Sequence, residues 1–134
     1  MPSEFDRPPH HVSEVKRAFI DHGYPMEPGI AHLLDSGLLG KGTESPLNPY
    51  CAAVVECMPL SVRFPDAGVD REVIVFARSV ASDDLACVER ETRRVFEVHY
   101  DLSNPAWLDW VAEYDDSWVW LESVVRSLKT FHKA

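Results

Sequence analysis

The sequence predicts an α+β fold with N-terminal helices, a mainly antiparallel sheet of about five strands and a C-terminal helix packed on that sheet. Three observations predict it. Between Arg71 and Tyr100, three segments either alternate apolar and polar residues or form short β-branched runs, as half-buried strands do. From Asp116 the pattern changes to helical spacing, with Trp118, Leu121, Val125 and Leu128 on one face. Ahead of the strands, Ser13–Gly23 and Ile30–Gly37 each carry a helical pattern closed by a glycine.

Taken in order, residues 1–12 read as a loose arm containing Pro8-Pro9 and His10-His11. Ser13 occupies an N-cap position, with Glu14 favourably placed against the helix dipole. Val15, Ala18 and Phe19 give that helix one apolar face, and Gly23 ends it. Tyr24-Pro25 and Pro28-Gly29 are turn chemistry before the short second helix. Gly40, Gly42, Pro46 and Pro49 then mark a loop.

Tyr50–Cys57, rich in Ala and Val, fits a buried strand that Pro59 ends. Leu60–Phe64 alternates cleanly and is either its hairpin partner or its continuation past a bend. Pro65–Gly68 is a turn. Strands follow at Glu72–Ser79, Asp84–Glu89 and Arg94–Tyr100, and the charged Glu89–Arg94 connection predicts an exposed hairpin tip. Pro105 opens a short turn over Trp107–Val111. The last helix is expected from Ser117 to Phe131, with Lys129, His132 and Lys133 at its negative pole.

Residues 1–134 are read as one domain, large enough to bury a core without metal or disulfide help. Hydrophobic content of 46% and charged content of 26% are ordinary for a globular chain. No run approaches the ~20 apolar residues of a membrane span. The N-terminus has neither the basic start nor the apolar stretch of a secretory signal. Cys51, Cys57 and Cys87 are an odd set without a C-x-x-C pair, so reduced thiols in a cytoplasmic protein are expected.

The formal net charge is -9, a field that repels phosphate backbones and disfavours nucleic acid while attracting a basic protein. Between Asp101 and Val125 there are six acidic residues and no Lys or Arg, and all four tryptophans fall in the same segment. Tryptophans anchor interfaces, and acids around them steer a basic partner. Trp107, Asp109, Trp110, Glu113, Asp115 and Trp120 are therefore the expected partner-binding residues. In that register Trp118 belongs to the core stripe and Trp120 lies away from it.

The order and spacing of these pieces resemble the SUKH superfamily, which includes bacterial toxin-immunity proteins and a fungal cell-wall synthesis regulator. Phe19-Ile-Asp-His-Gly-Tyr-Pro25 is similar to the family's opening helix, and Ile74-Val-Phe-Ala to its central strand. Leu85-Ala-Cys-Val and Val95-Phe-Glu-Val resemble its paired strands, and Asp116-Ser-Trp-Val-Trp-Leu121 the start of its last helix. The Asn104–Glu113 stretch has no counterpart there. The resemblance implies a non-catalytic α+β domain that binds a protein, often a secreted toxin, and lends no catalytic residue.

Other chemistries are weakly supported. The six histidines form no helical pair with a carboxylate at zinc-ligand spacing, so no metal is expected. Cys87 and His99 fall on neighbouring strands, but whether they share a face depends on register, and a buried structural cysteine is the simpler reading. Asp115-Asp116 suit a helix cap better than paired catalytic acids. Gly37–Gly42 lacks the phosphate-loop pattern. The expected function is thus that of a cytoplasmic immunity protein, without cofactor, that neutralises a basic toxin domain by direct binding. A regulatory or scaffolding module is the alternative, and a small cysteine- or histidine-dependent enzyme ranks third.

Overall fold

Val12, Val15 and Phe19 recur on one side of helix α1 (His10–Asp21), and all three are buried. The helix begins three residues before Ser13, the expected cap, because Val12 joins the core and brings the first turn with it. The structure is a computed structural model and describes residues 10–54, 57–63, 70–82, 84–100 and 108–133. Most of the expected arm and the Pro65–Gly68 turn fall outside that set. Gly23 ends α1 at φ 75°, a left-handed conformation that glycine adopts without strain, and the Tyr24 amide donates to the Phe19 carbonyl at 2.8 Å. Helix α2 (Pro28–Asp35) is followed by Gly37 at φ 81°. The expected loop after it contains one 3-10 turn at Gly42–Glu44.

The sheet has six strands, all paired antiparallel, which bears out the α+β class with one strand more than expected. They are β1 (Tyr50–Ala52), β2 (Pro59–Arg63), β3 (Asp70–Ser79), β4 (Asp84–Glu89), β5 (Val95–Tyr100) and β6 (Leu108–Tyr114). The spatial order is β1-β3-β4-β5-β6, with β2 also paired to β3. β1 meets the end of β3 (Tyr50 opposite Ser79), and β2 meets its beginning (Arg63 opposite Asp70). Leu60–Arg63 is therefore the continuation of Tyr50–Ala52 past a bend. Pro59 opens this piece instead of ending the previous one; the first residue of a strand is a position where its missing N–H is tolerated.

Two bulges shape the sheet. Phe76 is extra between the Val75–Cys87 and Ala77–Ala86 pairs, and Val111 is extra between the Val98–Trp110 and Glu97–Ala112 pairs. The second explains why Trp107–Val111 was expected as a turn where strand β6 begins at Leu108: an inserted residue breaks the two-residue alternation by which a strand is recognised.

The curled sheet has two apolar faces. One, including Ile74, Phe76, Ala86, Val88 and Val95, packs against α1, α2 and the terminal helix α3 (Ser117–Lys133). The other buries Ala53, Val73, Val75, Cys87, Phe96 and Val98 as a separate cluster. That second cluster is covered because the sheet rolls up on itself: Cα atoms of β2 and β6, on opposite margins, approach within 8 Å.

The side of α3 that faces the sheet is displaced from the expected stripe. Ser117, Trp120 and Val124 are buried, with Leu121, Val125 and Leu128 packed partly against the core. Trp120 is 0% exposed and Trp118 is 48% exposed, the reverse of the expected assignment. Two long-range contacts fix this rotation. The Trp120 indole N–H donates to Glu97 at 2.8 Å, and the small Ser117 sits where α3 meets the start of α2.

Candidate partner-binding surface

The start of α3 is held from three directions. Asp116 caps the helix, accepting from the Val119 amide at 2.9 Å, as the Asp115-Asp116 pair predicts. Glu27, itself buried, caps α2 by accepting from the Gly29 and Ile30 amides at 3.0 and 3.1 Å. Its other role is to accept from the Ser117 hydroxyl, so one carboxyl joins the N-termini of both helices. Gly29 is required by close approach alone: a Cβ there would lie 1.9 Å from the Ser117 Oγ.

This joint turns Trp118 and Val119 outward, 48% and 40% exposed. The Trp118 ring packs on His32 of α2, with centroids 5.4 Å apart. Beside Val119, between β6 and α3, runs an open groove of about 490 Å³ lined by Tyr114, Val119, Glu122, Ser123, Arg126 and Ser127.

Tyr114 connects the groove to a buried polar cluster. Glu97 is buried and accepts from Trp120, Tyr50 and Tyr114. Burial pushes its carboxyl above the usual range, the nearby Asp84 adds to that rise, and the three donors pull the other way. Burial, together with the Glu97 charge, raises the Tyr50 and Tyr114 hydroxyls as well, whereas Ser123 on the groove side pulls Tyr114 down. The Trp120 ring meets Phe76 and Tyr50 edge-on, at 5.2 and 5.4 Å between centroids. This polar cluster is enclosed by apolar packing and fixes the floor on which α3 rests.

Glu122 lines the groove, while Glu113, Asp115 and Asp116 fall at the end of β6 and the start of α3. Arg94 pairs with Glu113 and lies 3.4 Å from Asp115, and Arg126 pairs with Glu122 along the helix. All these pairs are substantially exposed, so each contributes only roughly 0–1 kcal/mol.

No protein-family model, curated protein or solved structure matches this chain. The site is therefore read from its own residues. Glu113 and Asp115 are brought together at the end of β6, sharing Arg94. Trp120 is withdrawn to the core, where its indole N–H finds its partner and its ring fills the space between sheet and helix, so it is not a surface anchor. Asp109 and Trp110 lie in β6 opposite His99 and Val98, and Trp107 falls outside the described residues. What sequence reasoning missed is Trp118 with Val119, Tyr114 and His32. Their exposure follows from the close packing of Ser117 on Gly29, a tertiary contact that sequence alone does not reveal.

The other candidates resolve plainly. Cys87 is opposite Phe96 while His99 is opposite Asp84, so the strands do not pair thiol with imidazole. Cys87 is fully buried, and burial, with Cys57 nearby, pushes its thiol far up. Among the described residues no three His, Cys, Asp or Glu side chains group as metal ligands, and no helix is long and apolar enough to cross a membrane. A second groove, about 380 Å³, lies by the exposed β4–β5 tip, where Arg90 stands over the Tyr24 ring and Tyr24 donates to Glu72 at 2.8 Å.

Proposed function

We propose that this chain is a non-catalytic, cytoplasmic protein-binding domain of the SUKH immunity type, which neutralises a basic toxin domain by covering it. The observation that carries the reading is the outward pair Trp118 and Val119, close in sequence to Glu113, Asp115, Asp116 and Glu122, in a chain of net charge -9. An exposed tryptophan held by a neighbouring ring is a rigid anchor that loses little entropy on binding. Acids around such an anchor accelerate encounter with a basic partner and make it salt-dependent. The helix order and the resemblance in the strands and last helix support the immunity reading over other binding roles.

The test is to co-purify the tagged chain with the product of the immediately adjacent gene, and to score growth with each expressed alone and together. A stable complex with rescue from a toxic neighbour is the expected result. A complex without toxicity replaces the immunity role by a regulatory one, and absence of any complex removes the reading.

A further inference from the structure

We propose that Glu97, Tyr114 and Ser123 form a proton relay from the buried polar cluster to the groove between β6 and α3, by which the ionisation of Glu97 sets whether Ser123 offers that groove a hydrogen-bond acceptor or a donor. The device stands apart from the partner-binding reading and does not rest on it. Its inner end is a carboxyl that is 8% exposed and receives donors from three elements. These are the Trp120 indole of α3 at 2.8 Å, the Tyr50 hydroxyl of β1 and the Tyr114 hydroxyl of β6. Its outer end is Ser123, which donates to the Tyr114 oxygen and lines the groove with it.

The direction of each bond follows from what each group can do. An ionised carboxylate only accepts, so Trp120, Tyr50 and Tyr114 all donate to it. The Tyr114 oxygen is then left to the Ser123 hydroxyl, and Ser123 turns its lone pairs to the groove. When Glu97 takes up a proton, its new O–H needs an acceptor. The indole nitrogen only donates, whereas a tyrosine oxygen can accept, and Tyr114 is the tyrosine with an onward partner at the groove. The transfer balances as a chain. Tyr114 passes its hydroxyl proton to Glu97, Ser123 passes its own to Tyr114, and a hydronium ion of the solvent gives one to Ser123 and leaves as water. One O–H forms on Glu97, both hydroxyls keep a proton, and Ser123 now points its O–H outward. Burial and the charge of Asp84 from β4 keep the neutral carboxyl to higher pH than an exposed one, while burial keeps Tyr114 protonated in the same window. Glu97 is flanked in the sheet by Ala86 of β4 and Ala112 of β6, which do not titrate.

The experiment is a pH titration of the full chain, followed by the carbon chemical shifts of the Glu97 carboxyl, the oxygen-bearing ring carbon of Tyr114 and the Ser123 Cβ. The expected result is one common midpoint for all three, above the usual carboxyl range. In Tyr114→Phe, Glu97 should still titrate while Ser123 no longer follows it, and in Tyr50→Phe Ser123 should still follow. Asp84→Asn should lower the midpoint and leave the three responses together, and Glu97→Gln should abolish them. In the wild-type protein alone, a Ser123 that stays flat or titrates at a different midpoint overturns the proposal. So does a Glu97 that never takes up a proton while the chain is folded. A Ser123 that still follows in Tyr114→Phe senses the charge through space, and one that stops following in Tyr50→Phe is reached by another route; either result overturns the relay.

Discussion

Replacing Gly29 by alanine tests the joint that aims Trp118 at solvent. On helix propensity alone the change should stabilise, since alanine is favoured over glycine by about 1 kcal/mol within a helix. The packing opposes this. The new Cβ would meet the Ser117 Oγ at 1.9 Å, the Ser117 Cβ at 3.2 Å and Glu27 Oε2 at 3.1 Å, with Ser117 itself at 0% exposure. Either α3 shifts from α2, at the ~1–3 kcal/mol typical of overpacking, or Ser117 rotates and abandons its bond to buried Glu27, worth ~1.5–3 kcal/mol. The net expectation is a loss of about 2–5 kcal/mol, read by urea unfolding, and a Tm lower by roughly 10 °C. Ser117→Ala removes the offending oxygen, so Gly29→Ala should cost at least ~1 kcal/mol less in that background. A Gly29→Ala protein within about 0.5 kcal/mol of wild type, or strictly additive effects, would refute the reasoning.

Three further expectations follow from the buried and charged groups. Because burial raises Glu97 in the folded state, its contribution is present at low pH and declines as pH rises from the unfolded carboxyl range through the folded value. Glu97→Gln should therefore gain stability relative to wild type across that window, and denaturation midpoints showing a pH-independent difference would contradict this. Cys51, Cys57 and Cys87 are buried, and the Cys87 thiol is pushed up by burial, so a thiol reagent should find all three in denaturant and almost none in the native protein; rapid native labelling would be the adverse result. Charge reversal at Glu113 and Asp115 leaves Arg94 without either carboxylate, and should slow partner association and flatten its salt dependence with Tm changed little. An association rate unchanged at low salt would remove that rim from the interface.

Most of the fold was legible because its signals are local. Gly23 and Gly37 stop their helices at positive φ, Asp116 caps α3, and the charged β4–β5 tip is exposed. β6 was not legible, because the bulge at Val111 hides its alternation and Pro105 suggests a turn. The candidate site failed at one rotation. Stripes through Trp118 and through Trp120 are both plausible faces of one helix, and the choice between them lies in Glu97 and Gly29, distant partners whose positions only the tertiary structure supplies. Acidity around the site was visible in composition, but its partial neutralisation by Arg94 depends on β5 lying beside β6.

The most direct test of the central claim is the affinity of the adjacent-gene partner for Trp118→Ala compared with wild type. Trp118 is half exposed and outside the buried core, so the variant should keep its Tm. If this face is the interface, Kd should rise about 30-fold or more, the loss expected on truncating a tryptophan hot spot. An affinity within about 3-fold of wild type would place the interface elsewhere and contradict the account.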